Sequence, residues 1–173
     1  MTTSPGSPLK LTGYQPGVIG KITELHAVYY HENWKFDASF EIQVASELAV
    51  FIREFQPERD GFWVAFADGR FAGSAAIDGR RACTDGARLR WLIVNPGFHG
   101  FGFGRRLVQE AISFCRRVAH NRVYLWTFQG LNAARALYED SGFGLREEHR
   151  IEQWGQRITE QKFELDMKGA PLP

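Results

Sequence analysis

The spacing of apolar residues predicts helices in the first third of the chain. Between Asp37 and Gln56, apolar residues recur every three or four positions, Asp37 is a suitable N-cap, and Pro57 ends the pattern. Residues 18–32 begin with a short β-branched run and continue at helical spacing, so we expect a strand followed by a helix. The apolar face of the second helix would consist of Phe40, Val44, Leu48, Phe51 and Phe55.

The rest of the chain alternates strands with helices. Two apolar runs within residues 61–77 surround Asp68-Gly69, a pair typical of a two-residue hairpin turn. Asn132 can cap a short helix, and Gly142 fits its end. Further strands are predicted at residues 87–94, 122–128, 143–152 and 156–167, and an amphipathic helix begins near residue 104. This order predicts a mixed α/β sheet with flanking helices.

Composition limits the class of protein. With 173 residues, 44% hydrophobic and 24% charged, the chain fits one globular domain, which we assign to residues 18–168, between a flexible arm (1–17) and a tail (169–173). The net charge of +1 argues against a nucleic-acid partner. No segment resembles a signal peptide or reaches membrane-spanning length, and the two cysteines fit no metal-binding spacing. We therefore expect a cytoplasmic protein with no metal and no membrane partner.

The stretch VNPGFHGFGFGRRL, residues 94–107, is the strongest candidate for chemistry. A strand ending at Val94, a glycine-rich turn and a helix starting near Gly104 would bring free backbone N–H groups to the positive end of a helix dipole. Arg105 and Arg106 lie in the first helical turn, where a bound diphosphate would offset their unfavourable position. The pattern predicts a phosphate site; the simpler alternative is a tight turn whose glycines serve the backbone and whose phenylalanines pack.

Two familiar phosphate motifs do not fit this loop. A P-loop needs a lysine followed by Ser or Thr, but no lysine occurs between Lys35 and Lys162. The dinucleotide fingerprint needs GxGxxG and a later acidic residue, whereas the loop reads GxGxG and the strand at 122–128 contains no Asp or Glu. The phosphate ligand is therefore expected to belong to another class.

Two segments of the sequence carry a resemblance to a known family. IVNPGFHGFGFGRRLVQEAI resembles the acetyl-CoA loop of the GNAT superfamily of N-acetyltransferases, and LYEDSGF, residues 137–143, resembles that superfamily's second familiar segment. The resemblance implies an α/β fold with a central, mostly antiparallel sheet and a splayed strand pair. It also implies the order strand, two helices, three strands, helix, strand, helix and two strands over residues 18–167.

More narrowly, the chain is similar to the acetyltransferase half of bacterial fusions that carry a MarR-type DNA-binding domain before it. The segments that carry this likeness are HAVYYHE and VYLWT, followed by AARALYEDSGF. Residues 1–17 are too few for a winged helix, so we expect no regulation of transcription.

The resemblance implies acetyl-CoA as co-substrate. The backbone of Leu92, Ile93 and Val94 would pair with the pantetheine amides, because a strand end that leaves its neighbour has unpaired groups. The amides of residues 99–105 would hold the diphosphate. These residues are His99, Gly100, Phe101, Gly102, Phe103, Gly104 and Arg105. His99 departs from the superfamily pattern, which has Arg or Gln there, and Arg105 and Arg106 are the candidates to compensate.

The resemblance also implies roles in catalysis. Tyr138 would be the general acid that protonates the leaving thiolate; the alternative is a tyrosine that packs under the sheet with its hydroxyl in water. The amide of Ile93 or Val94 would stabilise the oxyanion. Asn132 would touch the cofactor, although its role as a helix N-cap is an equal alternative.

The general base stays open. Relatives often use a glutamate on the strand after the glycine-loop helix, but this chain has Trp126-Thr127 there. Glu24, His26 and His31, near the first helix, are the candidates, together with a chain of waters. A histidine at such a place is more often structural.

These observations predict an enzyme, an N-acetyltransferase that moves the acetyl group of acetyl-CoA to a primary amine of a small molecule or peptide by direct attack. The alternative is an acyl-CoA-binding module or sensor with little or no catalysis, which His99 and the missing strand glutamate would favour. The family also suggests a homodimer. The sequence does not identify the amine.

Overall fold

The computed structural model of the chain describes residues 8–168, which form a sheet of seven strands with helices on both faces. The strands are β1 Lys10–Thr12, β2 Gly61–Ala67, β3 Arg70–Asp78, β4 Ala87–Val94, β5 Arg122–Phe128, β6 Gly144–Gln153 and β7 Gln156–Asp166. The helices are α1 Val18–Trp34, α2 Ala38–Arg53, α3 Phe103–Arg117 and α4 Asn132–Asp140. One apolar cluster lies between the sheet and α3 and α4, and the other lies between the sheet and α1 and α2.

The sheet contains one parallel pair, and that pair is short. The strand order is β1-β2-β3-β4-β5-β7-β6, and every neighbouring pair is antiparallel except β4 with β5. β4 and β5 pair only at Ala87 with Val123 and at Arg88 with Tyr124. Beyond Arg88 the two strands separate, which confirms the predicted mixed α/β fold with a splayed strand pair.

A β-bulge lies in β4 just where the strands separate. The pairing of β4 with β3 moves from Arg90 opposite Ala76 to Ile93 opposite Ser74, so Trp91 and Leu92 together oppose one residue. Trp91 has a φ of 47°, in the left-handed region that a bulge can require. The Ser74 hydroxyl donates to the Trp91 carbonyl at 2.7 Å and supports this turn of the backbone.

The predicted strand at the start of residues 18–32 is wrong. α1 begins at Val18, and Val18, Ile22 and His26 recur every four residues on its buried face. The β-branched residues therefore serve a helix, because tertiary burial outweighs their modest β preference. The first strand is instead β1, which pairs with β2 and corrects the expectation of a flexible arm for its residues. The predicted arm at residues 1–7 and the predicted tail at residues 169–173 lie outside the described residues.

Most other elements agree with the sequence pattern. The Asp37 side chain accepts a hydrogen bond from the Ser39 amide at 2.9 Å and caps α2. Asp68 and Gly69 both have positive φ, as the predicted hairpin turn requires. The predicted cap of α4 is wrong. Leu131 is the N-cap residue, Asn132 is the first helical residue, and no side chain caps this helix with a hydrogen bond.

The tip of the β6–β7 hairpin docks onto the start of α2. The Asp37 amide donates to the Trp154 carbonyl at 3.1 Å, and a Cβ on Gly155 would lie 2.7 Å from the Asp37 carboxylate. The indole of Trp154 donates to Gln43 of α2 at 2.9 Å. The last hairpin of the sheet is therefore fixed to the connection between the first two helices, and together they enclose one end of the space beside β4.

Gly73 permits the close approach of β3 to the bulged part of β4, which gives a test of this packing. A Cβ on Gly73 would lie 2.3 Å from the Ile93 carbonyl oxygen, and the backbone of β4 cannot move without disturbing the bulge. We expect Gly73→Ala to lower the free energy of unfolding by about 1–3 kcal/mol in urea denaturation.

Gly20 offers the matched control. It lies inside α1, and a Cβ there would meet no atom within 4 Å. Gly20→Ala should raise stability by up to about 1 kcal/mol, because alanine favours the helix. Equal effects of the two substitutions would contradict the packing described for β3 and β4.

Candidate active site

A cavity of about 710 Å³ follows the separation between β4 and β5. One end is lined by the glycine loop and by α4, including His99, Gly102 and Tyr138. The other end reaches charged residues on β4 and β7 beneath the α2 helix and the Trp154 hairpin. The cavity therefore connects the predicted phosphate loop with a polar chamber on the far side of the splayed strands.

The glycine loop forms an anion cradle from backbone groups. The chain leaves β4, makes a short 3-10 turn at Pro96–Phe98, and begins α3 after Gly102, whose φ of 79° a side chain would disfavour. The first intrahelical bond runs from the Arg106 amide to the Gly102 carbonyl at 3.0 Å. The preceding amides of α3 have no partner within the helix, as at the start of any helix, and can donate to a ligand.

The phenylalanines of the loop anchor it to the core. Phe98 and Phe103 are buried with their ring centroids 5.7 Å apart, and the Arg70 guanidinium lies 5.5 Å from the Phe98 ring. Gly104 packs against Leu137 of α4, because a Cβ there would lie 3.2 Å from a Leu137 methyl group. The loop therefore does both: its phenylalanines pack in the core, and its backbone amides can face a ligand.

His99 braces the loop against the end of β4. Its Nε2 atom lies 2.9 Å from the Val94 carbonyl oxygen, and since a carbonyl can only accept, Nε2 carries the proton. In the neutral ring, Nδ1 is then an acceptor and cannot donate to a phosphate. His99 therefore holds the loop in place through Nε2, and a neutral ring would offer a ligand only an acceptor.

The two arginines of the first helical turn are engaged by carboxylates. Arg105 pairs with Asp140 at 3.0 Å, and Arg106 pairs with Glu110 at 2.7 Å. All four side chains are largely exposed except Glu110, and exposed ion pairs contribute little stability. To compensate for His99, Arg105 and Arg106 would have to leave these carboxylates and turn to the ligand. Leaving an exposed ion pair costs little.

The backbone of β4 divides its polar groups between β3 and the cavity. The Ile93 carbonyl lies against Gly73 of β3, and two residues later the Asn95 amide donates to the Ala72 carbonyl. Since the N–H and C=O of one strand residue point to the same side, Ile93 faces β3. The expectation that the Ile93 amide faces the reacting group is therefore wrong. The alternating backbones of Leu92 and Val94 face the cavity instead.

Tyr138 lies in the wall of the cavity and is only 7% exposed. Burial raises the pKa of its hydroxyl above the ordinary value, so the group stays protonated at neutral pH. Its ring packs beside Phe143 and Phe163, with centroids about 6 Å away. The ring therefore packs against the core, as the alternative expected, while the residue also lines the cavity.

The sequence analysis missed a carboxylate in the far half of the cavity. Glu160 of β7 lies opposite Phe128 of β5 and lines the cavity, and burial raises the pKa of its carboxyl. The strand on which relatives carry their glutamate, β5, has Trp126-Thr127 at that place. The sequence could indicate that Ile158, Glu160 and Lys162 share one face of β7, because side chains alternate along a strand. That β7 lies beside β5 is known only from the strand order of the sheet.

A family model for acetyltransferases, the GNAT family, matches residues 20–143, which is well over half of the chain. The chain belongs to the GNAT family of acetyltransferases. A curated relative, the probable N-acetyltransferase camello of Xenopus tropicalis, is 33% identical over 82 residues. That match covers 47% of this chain, and the chain spans only 37% of the relative's length.

Solved structures share the GNAT fold at low sequence identity. The yncA protein of Salmonella typhimurium, solved with its cofactor acetyl-CoA, is 16% identical with a TM-score of 0.75 over 95% of this chain and 97% of its own. The ribosomal-protein-S18-alanine N-acetyltransferase of Escherichia coli is 20% identical with a TM-score of 0.69 over 95% of this chain and 97% of its own. At such identities the likeness concerns the fold.

The structure separates the candidate bases of this GNAT chain. His26 lines the cavity, is 5% exposed, and donates from Nδ1 to the Ile22 carbonyl at 2.8 Å. Glu24 is exposed on α1 and lies outside the cavity wall. His31 also lies outside it and contacts the Phe36 carbonyl through Nδ1 at 2.9 Å. Of the three, only His26 reaches the space where a substrate could bind.

Two further observations concern the described part of the GNAT chain. Asn132 lines the cavity at the start of α4. Within residues 8–168, no helix has both the length and the apolar character needed to cross a membrane. In the same range, no group of three His, Cys, Asp or Glu residues is placed to hold a metal ion.

The buried His26 gives a prediction for stability against pH. Burial lowers its pKa from 6.5 to about 4, so between these values the unfolded chain binds more protons than the folded one. The stabilisation is complete above pH 6.5 and is lost as the pH falls toward 4. We expect this group to remove about 3 kcal/mol over that range, since one pKa unit corresponds to about 1.4 kcal/mol.

Urea denaturation of the wild type and of His26→Gln at a series of pH values measures this contribution. The variant should lose the steep part of the pH dependence between pH 6.5 and 4. If the two curves stay parallel, the ring is not held neutral by burial.

Proposed function

We propose that this chain is an acetyl-CoA-dependent N-acetyltransferase that acts on a primary amine of a small molecule or peptide. The observation that carries the proposal is the cavity that joins the glycine loop to the buried charged residues through the separation of β4 and β5. Such a passage suits a long, extended cofactor whose reactive end must meet a second substrate from the other side.

The cofactor would bind to backbone groups of the chain. Leu92 and Val94 face the cavity after β5 has left β4, so a pantetheine chain with its two amides could take the place of the missing strand. The free amides at the start of α3, within residues 99–105, would bind the diphosphate. The acetyl-CoA in the yncA structure, which has the same fold, supports this assignment.

In the proposed reaction, the amine nitrogen attacks the carbonyl carbon of the thioester directly. The new C–N bond forms a tetrahedral intermediate, whose oxyanion would be stabilised by the amide of Leu92 or Val94. The C–S bond then breaks, and the electron pair leaves with sulfur. Tyr138, kept protonated by burial, would donate its proton to this thiolate.

Glu160 is our candidate for the general base. The attacking nitrogen must lose a proton, and a carboxylate whose pKa is raised by burial accepts a proton more readily than an exposed one. Glu160 lines the same cavity as Tyr138. Because a carboxylate is present after all, the main reason for an acyl-CoA-binding module without catalysis is weakened. His26, with its pKa lowered to about 4, is a weaker base.

The expectations from the sequence about cellular location, relation to MarR fusions and dimer formation belong to the same proposal. We place the reaction in the cytoplasm, where the free thiols of Cys83 and Cys115 would stay reduced. The special likeness to the acetyltransferase half of MarR fusions and the formation of a homodimer stay predictions.

Removal of the Tyr138 hydroxyl tests the proposed acid. With an accepted amine, Tyr138→Phe should lower kcat by about 100-fold or more, the range of general acid catalysis, while the Kd for acetyl-CoA stays within a few-fold. Release of free CoA thiol measures turnover, and calorimetry measures binding. Tyr14→Phe makes the same change at an exposed residue and should match the wild type. Full turnover by Tyr138→Phe would exclude the role.

Removal of the Glu160 charge tests the proposed base. Glu160→Gln should lower kcat/KM by about 100-fold or more below neutral pH and abolish the pH dependence that the carboxylate causes. The loss should shrink at high pH, where the amine is already neutral. Glu152→Gln, at an exposed residue of β6 that pairs with Arg157, is the control. An unchanged pH profile in Glu160→Gln would assign the base elsewhere.

A further inference from the structure

Arg88 is a charged side chain that the proposed reaction does not use. It lies on β4 at the last residue that pairs with β5, and it lines the cavity where the two strands separate. Its Nε atom is buried without a hydrogen-bond partner, and no ion pair with Arg88 forms within residues 8–168. The terminal N–H groups of Arg88 likewise have no partner in the described part of the chain, so they can gain from a ligand in the cavity that accepts their hydrogen bonds.

The neighbouring Arg90 is an arginine with a structural role. Arg90 lies two residues further along β4, forms ion pairs with Glu47 of α2 and Asp78 of β3, and rests 4.2 Å from the Trp91 ring. Arg90 is thus fixed by protein groups on several sides. Arg88 lies in the same strand and cavity but has no such partner, so its position is not explained by the packing of the fold.

The groups around Arg88 leave a gap on the cavity side. Asp78 lies opposite on β3 but is bound by Arg80 at 2.7 Å as well as by Arg90. Tyr124 lies opposite on β5, and Glu160 of β7 lines the same cavity as Arg88 and forms no ion pair with it. A group between Arg88 and Glu160 would therefore meet a cation on one side and a carboxylate on the other.

We propose that the acceptor is a free amino acid, whose carboxylate binds Arg88 and whose amino group lies toward Glu160. This inference rests on the proposed function. Arginine matches a carboxylate with two parallel hydrogen bonds, and the amino group of the same molecule is the nucleophile that Glu160 would deprotonate. Phe40, Val44, Trp154 and Ile158 line this half of the cavity, which favours an apolar side chain.

Matched pairs of amines test the anion site. L-phenylalanine, L-leucine and L-methionine are each compared with the amine that differs only by loss of the carboxylate: phenethylamine, isoamylamine and 3-(methylthio)propylamine. With the wild type, at least one amino acid should exceed its partner in kcat/KM by about 100-fold, because the buried guanidinium is unpaired without the carboxylate. Equal or better use of the amines would overturn the proposal.

Substitution of Arg88 should remove this preference selectively. Arg88→Gln should lower kcat/KM for the amino acid by about 100-fold and leave that for the partner amine within a few-fold, while Arg88→Lys should restore part of the loss. Arg157→Gln, at an exposed arginine of β7, is the control. An equal loss with both substrates would mean that Arg88 serves the fold or the chemistry in general.

A binding measurement separates failure of this proposal from failure of the proposed function. In the CoA-saturated protein, an amino acid of the panel should raise the Tm, its partner amine should not, and Arg88→Gln should abolish the shift. If CoA and amino acids bind but no amine is acetylated, the enzyme proposal fails and the anion site stands. If turnover occurs with the partner amines alone, or no amino acid shifts the Tm, the anion site is wrong.

Discussion

The separation of β4 from β5 is the constraint on which the rest of the structure depends. Inside a protein, backbone N–H and C=O groups must find partners, and a strand that leaves its neighbour in the middle of a sheet loses them. Here the loss begins after Arg88, in the interior of the molecule. The backbone groups of Leu92 and the amide of Val94 become available to a ligand, and the same separation opens the cavity that such a ligand would occupy.

The surrounding elements hold this opening in a fixed shape. The bulge at Trp91 redirects β4, Gly73 lets β3 follow it closely, and His99 takes up the Val94 carbonyl at its end. α3 and α4 pack on one face of the sheet, and α1 and α2 pack on the other. An opening in the sheet is tolerated because each strand that borders it is paired on its other side.

The two ends of the cavity differ in how they would bind charge. At the glycine loop, backbone amides and a helix start offer positive partial charges, and the nearby Arg105 and Arg106 are neutralised by acids. At the far end, side chains carry the charge, and Arg88 and Glu160 line the same cavity without forming an ion pair with each other. Binding by backbone tolerates phenylalanines between the glycines, whereas binding at the far end depends on the identity of its side chains.

The sequence by itself determined the local features. The period of apolar residues located α2, α3 and the strands β2 to β7, Asp68-Gly69 located a hairpin, and residues 94–107 indicated the loop and the family. These features depend on short spacings that one stretch of chain contains. Only the tertiary structure decided that residues 18–22 are helical, that Ile93 faces β3, and that Arg88 and Glu160 share a cavity. Strand neighbours and long-range burial set these outcomes, and neither is encoded in the spacing of any single segment.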